Sequence, residues 1–107
     1  MTDKIIILTT WPDASGAEQF ARDLVERGLA ACVNILPEMK SVYRWQGELE
    51  QGKEYQLVIK TRKPRYLQVA ELISRKHPYD LPEILSVPVD DGLPRYLSWI
   101  DEATHAE

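Results

Sequence analysis

Seven consecutive residues toward the end of the chain bring together several kinds of chemically active side chain. Residues 77–83 read His-Pro-Tyr-Asp-Leu-Pro-Glu, which supplies one imidazole, one phenol and two carboxylates. The prolines fix their own φ angles and restrict the residue before each of them, so the segment follows a stiff, extended path. Because polar loops held on a scaffold often carry binding sites, this segment is the first candidate for a functional site.

Metal binding is one chemistry that this segment offers. Imidazole is a ligand for Cu(II), Zn(II) and Ni(II), and the carboxylates of Asp80 and Glu83 are available beside His77. A second interpretation is structural, because a histidine at the end of a helix commonly hydrogen-bonds a terminal carbonyl group. A single histidine favours this second role. Self-association would change the balance, since each added chain brings another copy of His77 toward a shared axis.

Catalysis finds little support in the side chains available. A nucleophilic mechanism requires an activated Ser, Cys or Lys with a base beside it, and the only histidines are His77 and His105. A paired-carboxylate mechanism through Asp80 and Glu83 is the remaining catalytic alternative. Because carboxylates in exposed loops are usually just solvated, we expect a protein that is not an enzyme and has no catalytic residue.

Two other functions of small α+β domains lack their motifs. Chaperones for soft metals use paired thiolates, whereas Cys32 stands alone within an apolar stretch. RNA-recognition domains carry a Lys/Arg-Gly-aromatic run on the third strand, and residues 54–59 contain no such run. The net charge of −4 also opposes attraction to a polyanion. We therefore expect no nucleic-acid partner.

Length and composition predict a small protein with one core. A chain of 107 residues favours a single domain over 1–107. One cysteine excludes an internal disulfide and is typical of a reducing compartment. No apolar run approaches the roughly 20 residues that span a bilayer, and the four apolar residues after Lys4 are too few for a signal peptide. We expect a cytoplasmic protein with no membrane partner and no required cofactor.

The elements that position segment 77–83 follow from hydrophobic periodicity. Ser15 and Glu18 have the spacing of a capping box, and Gly28 is a natural helix terminator. Strands are predicted at 5–10, 30–35, 41–46, 54–61 and 84–87, and helices at 15–28, 64–77 and 94–103. If the second and third stretches form one bent arm, the order is the β-α-β-β-α-β of a ferredoxin-like split βαβ, an α+β fold with a short helix added at the end.

Residues 30–61 are predicted to form one long hairpin of an antiparallel sheet. Pro37 removes a ladder donor and predicts a bulge or a bend in the first arm rather than its end. Gly47 and Gly52 flank the predicted reversal. Large apolar residues alternate onto both faces of the arms, and two helices cover only one face. The other face is then an exposed apolar patch, so the pattern predicts a homo-oligomer.

Five stretches of the sequence together resemble the CutA family of divalent-ion tolerance proteins. They are residues 29–34 (Leu-Ala-Ala-Cys-Val-Asn), 41–48 (Ser-Val-Tyr-Arg-Trp-Gln-Gly-Glu), 58–61, 77–83 and 96–100, in family order along the chain. The resemblance implies a ferredoxin-like fold and a compact homotrimer whose long hairpins pair across subunits. It also implies a cytoplasmic protein linked to copper and divalent-cation tolerance, without established catalysis, whose trimer is similar to that of the PII signalling proteins.

Only part of the copper site described for the family carries over to this sequence. In the family a cysteine ends the first strand and two adjacent histidines end the second helix. Here Thr9 occupies the cysteine position, and Lys76 and His77 occupy the histidine pair. The resemblance therefore assigns His77 alone as a metal ligand. Since Thr9 lacks a soft thiolate and Lys76 brings a like charge, we expect Cu(II) or another divalent cation to bind weakly.

Other family-typical positions suggest a ligand cleft. The resemblance places Tyr43, Trp45, Lys60, Tyr79 and Glu83 in clefts between subunits or at packed trimer contacts. A lysine beside a carboxylate and phenols would suit a small anionic ligand. Two functions therefore stay open: a trimer for divalent-metal tolerance, and a PII-like signalling or adaptor trimer that binds a small ligand in its clefts.

Overall fold

The computed structural model describes residues 2–105, which form an antiparallel sheet with three helices. The strands are β1 (Lys4–Trp11), β2 (Cys32–Ile35), β3 (Met39–Trp45), β4 (Glu48–Arg62) and β5 (Leu85–Pro88). The helices are α1 (Ala14–Glu26), α2 (Tyr66–Lys76) and α3 (Pro94–Ala103), with a 3-10 turn over Lys63–Arg65 before α2. No helix in this part of the chain is long and apolar enough to cross a membrane.

The sheet has the strand order β2-β4-β1-β5, and each pairing is antiparallel. β4 is 15 residues long and serves two partners along one edge. Its residues 57–60 pair with β2, and its residues 48–54 pair with β3. The interruption falls at residues 36–38, where Pro37 has no N–H to donate. The step from Ile35 to Met39 is four residues, against three from Leu57 to Glu54 on β4, so the arm carries one extra residue, a bulge. The fold is the predicted ferredoxin-like split βαβ of the α+β class.

The hairpin reverses earlier than the two glycines suggested. Trp45 pairs directly with Glu48, and the two residues between them, Gln46 and Gly47, have φ angles of 50° and 83°. Two successive positive φ angles fit a type I′ turn, whose twist matches that of the flanking strands. Gly52 is therefore inside β4, not at the end of a longer reversal. A Cβ at Gly52 would lie 3.9 Å from the hydroxyl oxygen of Tyr43.

The core lies between one face of the sheet and the helices α1 and α2. Odd-numbered positions of β1 and β4 supply the strand side of this core, because alternate side chains point to opposite faces. The core residues that are fully enclosed, with 0% exposure, are Ile7, Ala17, Leu24, Ala30, Leu57, Ile59, Val69 and Ile73. The same alternation sends the even-numbered positions to the other face of the sheet.

Helix α3 covers one end of that other face. The buried Lys4 ammonium lies 3.0 Å from Asp101, and Nε of Arg62 donates to Oγ1 of Thr104 at 2.9 Å. Beyond α3 this face of the sheet is uncovered, and its exposed apolar side chains include Tyr43, Trp45, Leu85 and Val87. The exposed patch predicted from the strand pattern is therefore present, although α3 covers part of the face.

The start of α1 differs from its prediction. The N-cap is Asp13, whose Oδ2 accepts a hydrogen bond from the amide of Gly16 at 2.7 Å. Ser15 was expected in this role with Glu18, but Ser15 already lies inside the helix. Asp and Ser are about equally good N-cap residues. Asp13 is the N-cap because its backbone is extended, whereas Ser15 already has a helical position. The end agrees with prediction, because Gly28 has a φ angle of 72°.

Candidate functional site

His77 follows α2 directly, and both of its ring nitrogens are engaged. Nε2 lies 2.6 Å from the carbonyl oxygen of Thr10, and Nδ1 lies 3.0 Å from the amide nitrogen of Tyr79. Because the Tyr79 amide donates, Nδ1 is the acceptor, and the proton on Nε2 is donated to Thr10. The side chain is buried, with 8% exposure. The imidazole therefore joins the end of α2 to β1 and to the segment that follows it.

Aromatic rings enclose His77 on two sides. The Trp11 ring centroid lies 4.4 Å from that of His77, and the Tyr79 centroid lies 4.8 Å away. Trp11 in turn stacks on Phe20 of α1 at 4.6 Å. The backbone N–H of His77 caps the helix by donating to Ile73, but the imidazole reaches across to β1 rather than to a carbonyl of α2. A metal ion at His77 would have to displace one of the two ring hydrogen bonds.

The two positions associated with His77 in the predicted copper site have different environments. Thr9 is fully buried, and its Oγ1 has no hydrogen-bond partner among the described residues. Lys76 is exposed and lines a cavity of about 360 Å³ beside Trp11. Within residues 2–105, no three His, Cys, Asp or Glu side chains are grouped closely enough to hold a metal ion. The donors of one chain therefore do not form a complete metal site.

A cavity of about 680 Å³ lies between segment 77–83 and the hairpin. Four of the five predicted cleft residues line it, namely Tyr43, Trp45, Tyr79 and Glu83. Its remaining lining residues are Thr10, Ser41, Val42, Glu54, Asp80, Leu81 and Pro82. The end of β1, the middle of the hairpin and the proline-flanked segment thus converge on one concave surface.

Glu54 is the carboxylate that the strands hold in this cavity. Its Oε1 accepts a hydrogen bond from the Ser41 hydroxyl at 2.7 Å, and its Oε2 accepts one from the Thr10 hydroxyl at 3.0 Å. The pairing of Met39 with Glu54 puts Ser41 and Glu54 on the same face of the hairpin. Two neutral donors on two strands therefore fix the carboxylate without neutralising its charge.

Tyr79 places its phenol beside this carboxylate. Burial raises the pKa of the Tyr79 phenol, and the negative charge of Glu54, a hydrogen-bonding interaction with Glu54 and the nearby Tyr43 raise it further. The phenol is consequently held in its neutral form, which can donate a hydrogen bond. Tyr79 belongs both to the His77 environment, through its amide, and to the cavity, through its ring.

Glu83 is the second carboxylate with a fixed position. Its Oε2 accepts a hydrogen bond from Nε2 of Gln56 at 3.1 Å, and the same nitrogen donates to the carbonyl oxygen of Thr9 at 2.7 Å. Gln56 lies on β4, paired with Thr10 of β1. The second carboxylate is therefore tied to the same two strands as Glu54, although it comes from the loop before β5.

Lys60 does not line this cavity. It pairs with Ile6 and Cys32 near the other end of β4, and its Nζ lies 5.8 Å from the ring centroid of Tyr96 on α3. Lys60 is six positions along the strand from Glu54, which corresponds to about 20 Å at 3.3 Å per residue. Within one subunit, Lys60 is therefore far from the carboxylate and the phenols beside which it was expected. Its place in a cleft between subunits stays a prediction.

Sequence reasoning missed three polar residues of the cavity, Thr10, Ser41 and Glu54. Each belongs to a strand and has no unusual neighbour in sequence. The signal that would have found Ser41 and Glu54 is the Gln46–Gly47 turn, because a two-residue reversal fixes the register that puts them on one face.

Comparison with known proteins gives the same assignment along nearly the whole chain. A family model described as CutA1 divalent ion tolerance protein matches residues 5–103. The Protein CutA homolog of Xenopus laevis is 43% identical over 93 residues, which cover 87% of this chain and 62% of the relative. This chain thus spans about three fifths of that relative's length.

Solved structures agree in fold as well as in sequence. The crystal structure of CutA from the plant pathogen Xylella fastidiosa has a TM-score of 0.93 and 44% identity, covering 96% of this chain and 99% of that one. A structure titled periplasmic divalent cation tolerance protein CutA, from Archaeoglobus fulgidus, has a TM-score of 0.91 and 37% identity, covering 94% and 98%. The chain therefore belongs to the CutA1 family of divalent ion tolerance proteins.

Proposed function

We propose that this protein acts in divalent-cation tolerance as a homotrimer. The observation that carries the assembly is the uncovered sheet face, where Tyr43, Trp45, Leu85 and Val87 are between 43% and 56% exposed. Large apolar side chains exposed together on one sheet face are normally covered by a partner. Further copies of the same chain would supply that partner and would bring several copies of His77 into one particle.

Assembly is tested by sedimentation of the wild-type protein and of Trp45→Asp. Trp45 is 44% exposed near the tip of the hairpin, where the proposed trimer buries it. A charge placed in that contact would be desolvated without a partner, so the variant should dissociate at concentrations where the wild-type protein is trimeric. A wild-type protein that sediments as a folded monomer would contradict the proposal. A fully trimeric Trp45→Asp would remove Trp45 from the contact.

Within this function we propose His77 as the ligand for copper or another divalent cation. The lone pair available on the imidazole is on Nδ1, which now accepts the amide hydrogen of Tyr79. Ligation at Nδ1 releases that amide and thereby loosens segment 77–83 where it lines the cavity. Weak binding is expected, since the bond must be given up and neither Thr9 nor Lys76 supplies a second ligand.

Calorimetric titration with Cu(II) and with Zn(II) tests this assignment. His77→Ala should abolish the measured binding, and His105→Ala is the matched control, because His105 is the other histidine and is exposed. Unchanged binding in His77→Ala would remove His77 from the assignment. If metal binding is reduced equally in both variants, the metal binds nonspecifically to histidine side chains rather than to a site at His77.

A second candidate function rests on the cavity between segment 77–83 and the hairpin. We propose that it is a PII-like signalling or adaptor cleft for a small ligand, because about 680 Å³ is within the size range of ligand pockets. A thermal-shift screen of metabolites against metal ions separates the two functions. Stabilisation by a metabolite and not by metals favours the cleft, and the reverse favours metal binding.

The remaining features of the proposal follow from sequence. We propose a single domain over 1–107 located in the cytoplasm, on the basis of a lone cysteine that permits no internal disulfide. The proposal includes no catalytic step. Cell fractionation with an antibody against the protein tests the location, and recovery in a periplasmic or organellar fraction would overturn it.

A further inference from the structure

We propose that the cavity between segment 77–83 and the hairpin binds a small organic cation of the ammonium class. This deepens the proposed ligand cleft, and it rests on that proposal by naming the chemical class that the cleft takes. The cavity contains three carboxylates, Glu54, Asp80 and Glu83. No lysine, arginine or histidine is among the described residues that line it. The charge that one chain contributes to the lining therefore favours a cation and opposes an anion.

The two carboxylates fixed by the strands have no cationic partner in the chain. Within residues 2–105, no Lys, Arg or His nitrogen lies within 4.0 Å of a carboxylate oxygen of Glu54 or Glu83. Their partners are neutral donors: the hydroxyls of Ser41 and Thr10 for Glu54, and the amide of Gln56 for Glu83. Thr10 is itself only 4% exposed. Negative charge is thus held in place on the wall of a cavity and left uncompensated.

Aromatic rings supply the second requirement for binding an organic cation. Tyr43, Trp45 and Tyr79 line the cavity, with exposures of 47%, 44% and 41%. The faces of such rings attract a cation, most strongly for tryptophan, and the attraction grows when the cation loses water. Carboxylates beside the rings of Trp and Tyr are the combination that recognises alkylammonium groups, which need charge and apolar contact together.

The strand register sorts charge between the two faces of the hairpin. Tyr43 pairs with Glu50, and Trp45 pairs with Glu48, so each ring has a carboxylate directly opposite it on the same face. The alternate positions carry the basic residues, which are Lys40, Arg44 and Lys53. Because alternate side chains point to opposite faces, these cations are directed away from the two rings.

A molecule-sized cation fits this arrangement better than a bare metal ion does. A hard divalent ion needs several oxygen ligands about 2.0–2.6 Å from one point. No three His, Cys, Asp or Glu side chains within residues 2–105 are grouped to provide such a point. The carboxylates are instead distributed around about 680 Å³, a volume that accommodates an organic ligand.

Choline and its neutral isostere test the proposal directly. Choline chloride and 3,3-dimethyl-1-butanol share a shape and differ in charge, so each is titrated into the assembled protein by calorimetry, beside sodium phosphate and zinc chloride. We expect choline to bind with a dissociation constant in the millimolar range or tighter, and the alcohol and phosphate to bind at least about tenfold more weakly. Failure of choline to bind, or equal binding of the neutral alcohol, would overturn the proposal.

Variants locate the binding in this cavity. Glu54→Gln and Tyr43→Leu should each weaken choline binding by about tenfold, through loss of charge and loss of the ring face respectively. Glu71→Gln, an exposed carboxylate on α2 outside the cavity, should leave it unchanged. If both cavity variants bind choline as tightly as the wild-type protein does, choline does not bind in this cavity. If one variant does not fold, the other still decides the outcome.

The same samples separate this inference from the function on which it rests. If a neutral or anionic metabolite stabilises the protein and choline does not bind, the cleft stands and its ammonium class is wrong. If no small molecule binds, both the cleft and the ammonium class fail. Sedimentation and the metal titrations then still report on the trimer and on His77 independently.

Discussion

The carbonyl oxygen of Thr10 lies 2.6 Å from Nε2 of His77, although the two residues are 67 positions apart in the sequence. The hydroxyl of the same Thr10 donates to Glu54 in the cavity at 3.0 Å. Tyr79 makes the corresponding link from the other side, because its amide donates to His77 and its phenol lies beside Glu54. The imidazole and the cavity therefore form one connected polar unit.

Loss of the imidazole should destabilise the fold. His77→Ala leaves the carbonyl of Thr10 and the amide of Tyr79 without their partner, and it opens a space beside the ring of Trp11. We expect the free energy of unfolding to fall by about 2–4 kcal/mol. Urea unfolding at one fixed protein concentration measures this loss, since the stability of an oligomer depends on concentration.

His105→Ala is the control for this measurement, because His105 is exposed near the end of the described chain. Its substitution should change the unfolding free energy by less than about 0.5 kcal/mol. If His77→Ala unfolds at the same urea midpoint as His105→Ala, the hydrogen bonds of the imidazole do not contribute to the stability of the fold.

Helix capping provides a second prediction. Asp13→Ala removes the acceptor for the amide of Gly16 and should cost about 1 kcal/mol. Ser15→Ala should cost less than about 0.5 kcal/mol, because Ser15 lies inside the first turn of α1. Thermal unfolding of the two variants distinguishes the caps. A larger loss for Ser15→Ala than for Asp13→Ala would restore the capping box expected from the sequence.

This difference shows why the fold was more predictable than its details. The apolar positions of α1 have a helical period, and that pattern predicts the face that packs on the core whatever the first residue is. The cap is decided between residues of similar propensity, so local geometry selects Asp13 over Ser15. The 94–103 helix was predicted with its observed bounds, because Pro94 marks its start.

The cavity lining was predictable where its residues stand out in the sequence or in the family resemblance. Residues 77–83 stand out through their prolines and polar groups, and four of the five predicted cleft residues do meet in one cavity. Glu54 and Lys60 depend on strand register and strand length, which long-range pairing sets. The sequence placed the reversal between Gly47 and Gly52, and from that position the pairing of Glu54 with Met39 could not be predicted. The same long strand carries Lys60 away to α3.

The Tyr79 phenol predicts a change in stability at alkaline pH. Its pKa in the folded protein is raised above the ordinary value of 10.0, first by burial and then by Glu54. A raised pKa contributes stability that is fully present below the unfolded value and is lost as the pH rises through the folded value. The wild-type protein should therefore lose more stability above pH 10 than Tyr79→Phe does.

Denaturant unfolding of both proteins from neutral to alkaline pH measures this difference. The other tyrosines and the lysines are present in both proteins, so their contributions cancel in the comparison. Glu54→Gln should retain part of the effect, because burial of the phenol remains when the negative charge is removed. Parallel curves for the wild-type protein and Tyr79→Phe would show that Tyr79 has the same pKa folded and unfolded.

Replacing either of two fully buried threonines by valine should change the stability of the protein, but in opposite directions. Oγ1 of Thr9 has no hydrogen-bond partner among the described residues, whereas Oγ1 of Thr61 donates to the carbonyl oxygen of Leu29 at 2.7 Å. Valine replaces the hydroxyl by a methyl group of similar size. Thr9→Val should therefore stabilise the protein by about 1 kcal/mol, since an unpaired buried hydroxyl is costly. Thr61→Val should destabilise it by about 1–3 kcal/mol, because the carbonyl of Leu29 loses its donor.

Unfolding midpoints of the two variants, measured at equal protein concentration, test the stabilisation and the destabilisation together. If Thr9→Val is as destabilising as Thr61→Val, the Thr9 hydroxyl has a partner in the assembled protein.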